Sequence, residues 1–152
     1  MEINKFNKVK LKESGLKIAI VLPHFNSKLG NKLLKNAKKE LISNNIDKNN
    51  IQIFFIAGAL ELPYACKKII QRHKPDAIIA LGVVIKGETL HFDLVSKYSH
   101  YGLMKVQLEM DTPISFGIIC ANTIDQAKKR VSKNGLNKGK EAAIAALMQT
   151  KI

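Results

Sequence analysis

The sequence has no tryptophan, only two cysteines, and only nine glycines and four prolines among its 152 residues. So little glycine and proline excludes collagen-like and low-complexity chains. No apolar run reaches the roughly 18 residues that a membrane-spanning helix requires, so we expect no partition into a membrane. Residues 1–12 are polar and lack the apolar stretch of a signal peptide, so none is expected. The remaining composition, 46% apolar and 24% charged, is typical of one globular domain.

The two cysteines, Cys66 and Cys120, each lie within an apolar run. We expect two buried free thiols in a reducing compartment, with the cytoplasm as the default location, although their spacing leaves a disulfide open. No group of His, Cys, Asp and Glu residues has the spacing of metal ligands, so the sequence predicts no metal site.

Acidic residues are scarce, 12 against 25 basic residues, which gives a formal net charge of +13. Such a charge often indicates nucleic-acid binding. However, only Arg72 and Arg130 are arginines, and arginine is the residue that reads guanine through paired hydrogen bonds. The lysines are also spread along the chain, so we expect no specific nucleic-acid partner. The charge should instead concentrate anionic substrates near the surface.

Apolar, β-branched runs alternate with segments of helical periodicity along the chain. This alternation predicts one α/β domain, a three-layer αβα sandwich with a four-stranded parallel sheet and helices on both faces. A polar arm, residues 1–14, precedes that domain (15–152) and either pairs with a neighbouring subunit or is disordered. We predict strands at 16–22, 51–57, 76–85 and 114–121, and helices at 27–44, 61–73, 89–110, 123–133 and 137–149.

Side chains capable of binding and catalysis follow the predicted strands directly, at the edge of the sheet where open α/β folds bind ligands. Phe25 follows the first strand, Glu61 the second, and Thr89 and His91 the third. Each also has a structural explanation when taken alone. Phe25 could belong to the core, Glu61 could stabilise a helix dipole, and His91 could be a packing residue. Their convergence on one edge favours a ligand site.

The spacing Gly82-x4-Gly87 nearly matches the phosphate loop of nucleoside triphosphatases, which requires a lysine after the second glycine. Glu88 stands there instead, and its carboxylate would repel a triphosphate. The turn could still hold a single phosphate through free N–H groups and the Thr89 hydroxyl, or Thr89 could simply cap the next helix. His91, one turn away, would then be a general acid or base beside an anionic leaving group. We expect no covalent enzyme intermediate, because no serine or cysteine lies beside a partner base.

Four groups of residues resemble the 6,7-dimethyl-8-ribityllumazine synthase family in order and spacing, from about residue 15 to residue 148. They are FN (25–26), GALELP (58–63), GVVIKGETLHFD (82–93), and PISFG (113–117) with QAKKR (126–130) and NKG (137–139). The resemblance implies a flavodoxin-like fold and a reaction without a cofactor. In it, 5-amino-6-(ribitylamino)uracil condenses with 3,4-dihydroxy-2-butanone 4-phosphate through an imine, loss of phosphate and ring closure.

The resemblance also implies a role for each matching residue and an oligomer. Phe116 and Lys138 would complete the pocket from the neighbouring subunit of a homopentamer. The connection 130–138 has no insertion, which favours a sixty-subunit icosahedral capsid with riboflavin synthase as a candidate cargo. The other matching residues are His91 for proton transfer; Phe25, Ala59, Leu60, Glu61, Val83, Val84 and Ile85 for the pyrimidine and its ribityl chain; and Glu88, Thr89 and Arg130 for the phosphate.

The sequence departs from the family pattern in places, and two other functions stay open. His24 stands where the family usually has arginine, Leu60 replaces an aromatic residue, and residues 96–98 replace a more acidic stretch. An archaeal-type riboflavin synthase would make riboflavin from lumazine alone, but the matches at Glu61 and His91 argue against it. A catalytically silent shell or RNA-associated scaffold would bind RNA in a salt-dependent manner and would have lost these site residues.

Overall fold

The computed structural model describes residues 15–152, so the predicted arm, 1–14, lies outside the described residues. Among residues 15–152, no helix combines the length and apolar character needed to cross a bilayer. Two single 3₁₀ turns, Lys48–Asn50 and Ala59–Glu61, precede β2 and α2. The strands are β1 (Ile18–Pro23), β2 (Ile51–Ile56), β3 (Ala77–Ile85) and β4 (Ile114–Ala121), and the helices are α1 (Ser27–Ser43), α2 (Leu62–His73), α3 (His91–Met110), α4 (Ile124–Val131) and α5 (Lys138–Gln149).

The four strands are all parallel and lie in the order β2-β1-β3-β4, which confirms the predicted four-stranded parallel sheet. Strand β1 pairs with β2 as far as Pro23, which lies opposite Ile56. It pairs with β3 only as far as Val21, which lies opposite Ala80. The two central strands therefore separate at their carboxyl ends. This separation marks the topological switch point at which open α/β sheets bind ligands.

Strands β1, β3 and β4 are largely buried on both faces, because their side chains alternate between two separate cores, whereas the edge strand β2 is mostly half-buried or exposed. In β1, Ile18, Ile20 and Leu22 join the core under α1, α4 and α5, whereas Ala19 and Val21 join the core under α2 and α3. The sandwich thus has three helices on one face and two on the other, which confirms the predicted helices on both faces. This continuous burial explains why the strands read as unbroken apolar runs.

Four helices, α2 to α5, begin one or two residues later than the sequence predicts, and the late starts of α2 and α3 lie at the ligand edge. Helix α3 begins at His91 rather than at residue 89. The Thr89 hydroxyl accepts a hydrogen bond from the backbone N–H of His91 (3.3 Å), and Leu90 takes the N-cap position. Helix α2 begins at Leu62, because residues 59–61 form the separate 3₁₀ turn that ends at Glu61.

The start of α4 is held by two hydrogen bonds between side chains and the backbone. Thr123 Oγ1 accepts a hydrogen bond from the backbone N–H of Gln126 at 3.2 Å. The side-chain oxygen of Gln126 accepts in return from the backbone N–H of Asn122 at 3.0 Å. Reciprocal bonds of this kind fix where a helix begins.

Both cysteines are free, as predicted, but only one of them is buried. Cys66, on α2, is 0% exposed, and its burial raises the pKa of the thiol to about 12. Cys120, near the end of β4, is half-buried, so the expectation of two buried thiols was wrong for this residue.

Candidate active site

A cavity of about 580 Å³ opens at the carboxyl edge of the sheet, where β1 and β3 separate. Its apolar wall is the end of β3, with Val83 buried and the two following residues half-buried. Ten of the predicted site residues lie at or just after the ends of β1, β2 and β3. Among these ten, only Glu88 does not line the cavity. The nine that do are Phe25, Ala59, Leu60, Glu61, Val83, Val84, Ile85, Thr89 and His91.

The aromatic ring of Phe25 stands at the mouth of this cavity, on the turn between β1 and α1. The side chain is 77% exposed, which excludes the alternative that it is a core residue. Its backbone N–H donates to the carbonyl of Ala57 at 3.4 Å, which ties the turn to the end of β2. An exposed ring held beside an apolar wall is an arrangement suited to stacking on a planar ligand.

The second wall of the cavity is the segment after β2, in which Glu61 turns back toward Gly58. The backbone N–H of Glu61 donates to the Gly58 carbonyl at 3.3 Å, which closes the 3₁₀ turn. The Glu61 carboxylate lies close to the Gly58 backbone: a β carbon added at Gly58 would be only 2.8 Å from Oε2 of Glu61. The carboxylate is therefore held at the cavity wall, where it can accept hydrogen bonds from hydroxyl groups.

Residues 87–90 form the turn before α3, and two of them, Gly87 and Thr89, line the cavity. Among residues 15–152, the N–H groups of residues 87–90 have no acceptor within hydrogen-bond distance. Both Thr89 and His91 are exposed and line the cavity, and His91 is the first residue of α3. Free N–H groups at a helix start, with the positive end of the helix dipole behind them, form a site for an anion. An imidazole beside such a site can transfer protons next to a leaving phosphate.

The remaining predicted residues, Phe116, Arg130 and Lys138, line a second cavity of about 680 Å³ against β4. None of them lines the first cavity. Arg130 Nη1 donates to the carbonyl of Gln126 on its own helix at 3.0 Å, and Lys138 Nζ forms an ion pair with Glu141 at 2.5 Å. Within one chain, the predicted phosphate arginine is thus separated from the turn formed by residues 87–90.

Comparison with known proteins agrees with this geometry. The profile of the family described as 6,7-dimethyl-8-ribityllumazine synthase matches residues 15–152. A protein of that name from Kosmotoga olearia is 45% identical over 133 residues, which cover 88% of this chain and 85% of the relative. One from Leuconostoc mesenteroides subsp. mesenteroides is 40% identical over 135 residues, which cover 89% of this chain and 86% of the relative. The chain belongs to the 6,7-dimethyl-8-ribityllumazine synthase family.

Membership of the lumazine synthase family confirms the resemblance read from the sequence. The profile spans the whole described domain, including the segments that hold both cavities. At position 24, where the family usually has arginine, the His24 ring stacks on Phe55. The ring centroids are 5.4 Å apart and the interplanar angle is 20°. The departure at Leu60 leaves an aliphatic side chain, 44% exposed, at the cavity wall.

Sequence reasoning gave no role to four residues that shape these cavities. Asn26 and Gly58 line the first cavity, and both were visible only as parts of longer motifs. His100 packs edge-on against Phe116 in the second cavity, with ring centroids 5.8 Å apart, and Glu141 holds Lys138 there. The signal for Asn26 was its position directly after a strand, and the signal for Glu141 was its spacing of three residues from Lys138 on a helix.

Proposed function

We propose that this protein is a lumazine synthase. It would condense 5-amino-6-(D-ribitylamino)uracil with 3,4-dihydroxy-2-butanone 4-phosphate to form 6,7-dimethyl-8-ribityllumazine, phosphate and water. The observation that carries the proposal is the cavity at the switch point, which brings together residues of three separate motifs. It joins an exposed ring, an acidic acceptor, a turn of free N–H groups and an imidazole. The two relatives, at 45% and 40% identity, carry the name of the same enzyme.

The pyrimidine substrate is proposed to lie between Phe25 and the end of β3. The exposed ring of Phe25 would stack on the planar heterocycle, and the side chains of residues 83–85 would cover its other side. The ribityl chain would extend along residues 59–61, where Glu61 would accept hydrogen bonds from its hydroxyl groups. This placement leaves the reacting amine facing the turn before α3.

The phosphate of the second substrate is proposed to bind at the turn formed by residues 87–90. Its free N–H groups and the Thr89 hydroxyl would hold the anion, and Glu88 would contribute through its backbone rather than its carboxylate. His91 would transfer the protons that imine formation and phosphate elimination require. The reaction needs no cofactor, because the leaving phosphate and the carbonyl of the substrate supply the chemistry.

The complete active site is proposed to lie between two subunits, with the first cavity from one and the second from its neighbour. Phe116, Arg130 and Lys138 would then close the pocket and bring a cation to the phosphate. A row of exposed apolar side chains along α3 supports an oligomer, because a monomer would leave it in water. Its members and exposed fractions are Leu90 (76%), Leu94 (51%), Tyr98 (51%), Tyr101 (67%) and Leu108 (75%).

A homopentamer is the proposed oligomer, with twelve pentamers forming a capsid and riboflavin synthase as its candidate cargo. Strand β2 lies at one edge of the described sheet, with Phe55 52% exposed, and offers a place for the arm 1–14 of a neighbouring subunit. The proposed compartment is the cytoplasm, in keeping with two free cysteines.

The proposed function is tested by mixing the purified protein with both substrates and following the fluorescence of lumazine against a blank without protein. We expect acceleration that requires both substrates. Riboflavin formed from lumazine alone would instead indicate a riboflavin synthase. A correctly assembled protein that accelerates neither reaction, yet binds RNA with a steep salt dependence, would contradict the proposal and favour the silent scaffold.

A further inference from the structure

Asn26 occupies the N-cap position of α1 but does not cap the helix. Asparagine is favoured at this position because its side-chain oxygen usually accepts from one of the first free N–H groups of the helix. Here the side chain makes no such bond, and the backbone adopts the left-handed conformation with φ 55° and ψ 34°. The left-handed backbone does not by itself prevent capping, because Asn137 at the start of α5 is also left-handed and its side chain accepts from the N–H of Lys140.

The amide of Asn26 instead reaches β3, 57 positions further along the chain. Its Nδ2 donates to the carbonyl of Val83 at 2.8 Å in a part-buried bond. Val83 lies beyond Ala80, the last residue of β3 that pairs with β1. The side chain thus bridges the two strands at the point where their own ladder has ended, on the wall of the first cavity.

The bridge joins the two elements that the pyrimidine ring would contact. On one side is the turn that carries Phe25, whose own N–H donates to the carbonyl of Ala57 in a long bond of 3.4 Å. On the other side is the strand end at Val83. Without the bridge, the turn would be held by that long bond, by the bond from the His24 N–H to the Ile56 carbonyl (2.8 Å) and by the start of α1.

We propose that Asn26 is a positioning residue for the pyrimidine substrate: through Val83 it fixes the width of the slot between the Phe25 ring and the end of β3. This inference rests on the proposed function for the identity of the ligand. The bridge itself is a property of the protein without ligand, so it can be tested separately. A turn that is already ordered before the ligand arrives raises ligand affinity, because binding then loses less conformational entropy.

The test uses the full chain with Asn26→Asp and Asn26→Gly. Aspartate keeps the shape, tolerates the left-handed backbone and can still cap a helix, but its carboxylate repels the Val83 carbonyl. Glycine keeps the backbone and removes the side chain. The matched controls are Asn45→Asp and Asn45→Gly, because Asn45 is exposed, also left-handed with φ 66°, and not among the residues that line the first cavity.

Two measurements separate positioning from other roles. Hydrogen exchange of residues 24–26, without substrate, should be faster in both Asn26 variants than in the controls. Titration with lumazine, followed by its fluorescence, should show binding weakened by roughly three- to tenfold, the effect of one net hydrogen bond. The KM for the butanone phosphate should change by less than about twofold, and thermal stability should match that of the controls.

Unchanged lumazine affinity in both folded variants would overturn the inference. So would weakened affinity with unchanged exchange, because the amide would then contact the ligand directly. If Asn26→Gly fails to fold, Asn26→Asp decides alone. If the wild-type protein makes no lumazine, the proposed function fails, whereas faster exchange in the variants would still support the bridge and unchanged exchange would contradict it.

Discussion

The carboxylate of Glu61 lies so close to the backbone of Gly58 that no side chain fits between them. A β carbon on residue 58 would lie 2.8 Å from Oε2 of Glu61, closer than real β carbons approach any atom. Gly58 has φ −140° and ψ 178°, an extended conformation that any residue adopts. The glycine is therefore required for space and not for conformation, and the space is occupied by the proposed acceptor of the ribityl hydroxyls.

Gly58→Ala should move the Glu61 carboxylate at little cost to stability. The displaced atom is the end of a flexible, exposed side chain, so the free energy of unfolding should change by less than about 0.5 kcal/mol. The KM for the pyrimidine substrate should rise by roughly 10- to 100-fold, because a hydrogen bond to a charged group is worth about 1.5–3 kcal/mol. Gly15→Ala, where a β carbon meets nothing within 4 Å, is the control. An unchanged KM would remove Glu61 from the ribityl site.

His91→Ala should lower kcat and leave the oligomer intact. The side chain is exposed at the first position of α3, so its removal leaves no cavity. General acid–base catalysis contributes about 10²–10⁴-fold, and we expect the lower end, since the substrates carry their own proton donors. His73→Ala is the matched control, because that exposed histidine packs on Phe54, with ring centroids 5.0 Å apart, and does not line the first cavity. Equal kcat values in both variants would show that His91 transfers no proton.

Arg130→Ala should raise the KM for the butanone phosphate and leave the KM for the pyrimidine unchanged. A lost charge-assisted hydrogen bond to phosphate corresponds to a rise of roughly 10- to 100-fold. Arg72→Ala removes the other arginine of the chain, which is exposed on α2, and controls for the change in net charge. If both variants raise the KM equally, the effect is the general attraction of a basic surface and not a phosphate contact.

Burial of Cys66 should make stability fall at high pH. Its pKa is raised to about 12, whereas the unfolded thiol ionises near 9.0, so the unfolded state alone loses the proton between these values. This group's contribution to the free energy of unfolding is complete below pH 9 and decreases by about 1.4 kcal/mol per pH unit as the pH rises toward 12. Urea unfolding of the wild type and of Cys66→Ala should therefore give stability curves that converge above pH 9. Parallel curves would contradict this linkage.

The fold was largely predictable because burial of the sheet on both faces leaves its strands as continuous apolar runs. Strand β4 was predicted at its observed bounds, Ile114–Ala121, for this reason. The start of β1 was placed two residues early, because apolar Leu16 lies before the first ladder partner, Ile18 opposite Ala77. The start of α3 was also placed two residues early. It depends on one hydrogen bond, from the N–H of His91 to the Thr89 hydroxyl, and the sequence left open whether this hydroxyl caps a helix.

The first cavity could be predicted because its residues lie directly after strands that end at one edge. The residues of the second cavity were indicated only by the family resemblance, since Phe116 on β4 and Lys138 on α5 meet only when the last crossover has folded. The bond from Asn26 to Val83 was also hidden, because a cap position predicts a bond within three residues and the observed one spans 57. Roles that depend on contacts between distant segments thus required the structure.

Mixing His91→Ala with Arg130→Ala tests most directly whether each active site is shared between two subunits. The variants are unfolded and refolded together at equal amounts, and lumazine formation is measured at low butanone phosphate, where each alone is poorly active. In a ring of heterologous interfaces, about one quarter of the sites would combine an intact first cavity with an intact second cavity. We predict recovery of about one quarter of the wild-type rate, and no recovery when assembled variants are mixed without refolding. A refolded mixture no more active than the mean of its two components would contradict a shared site.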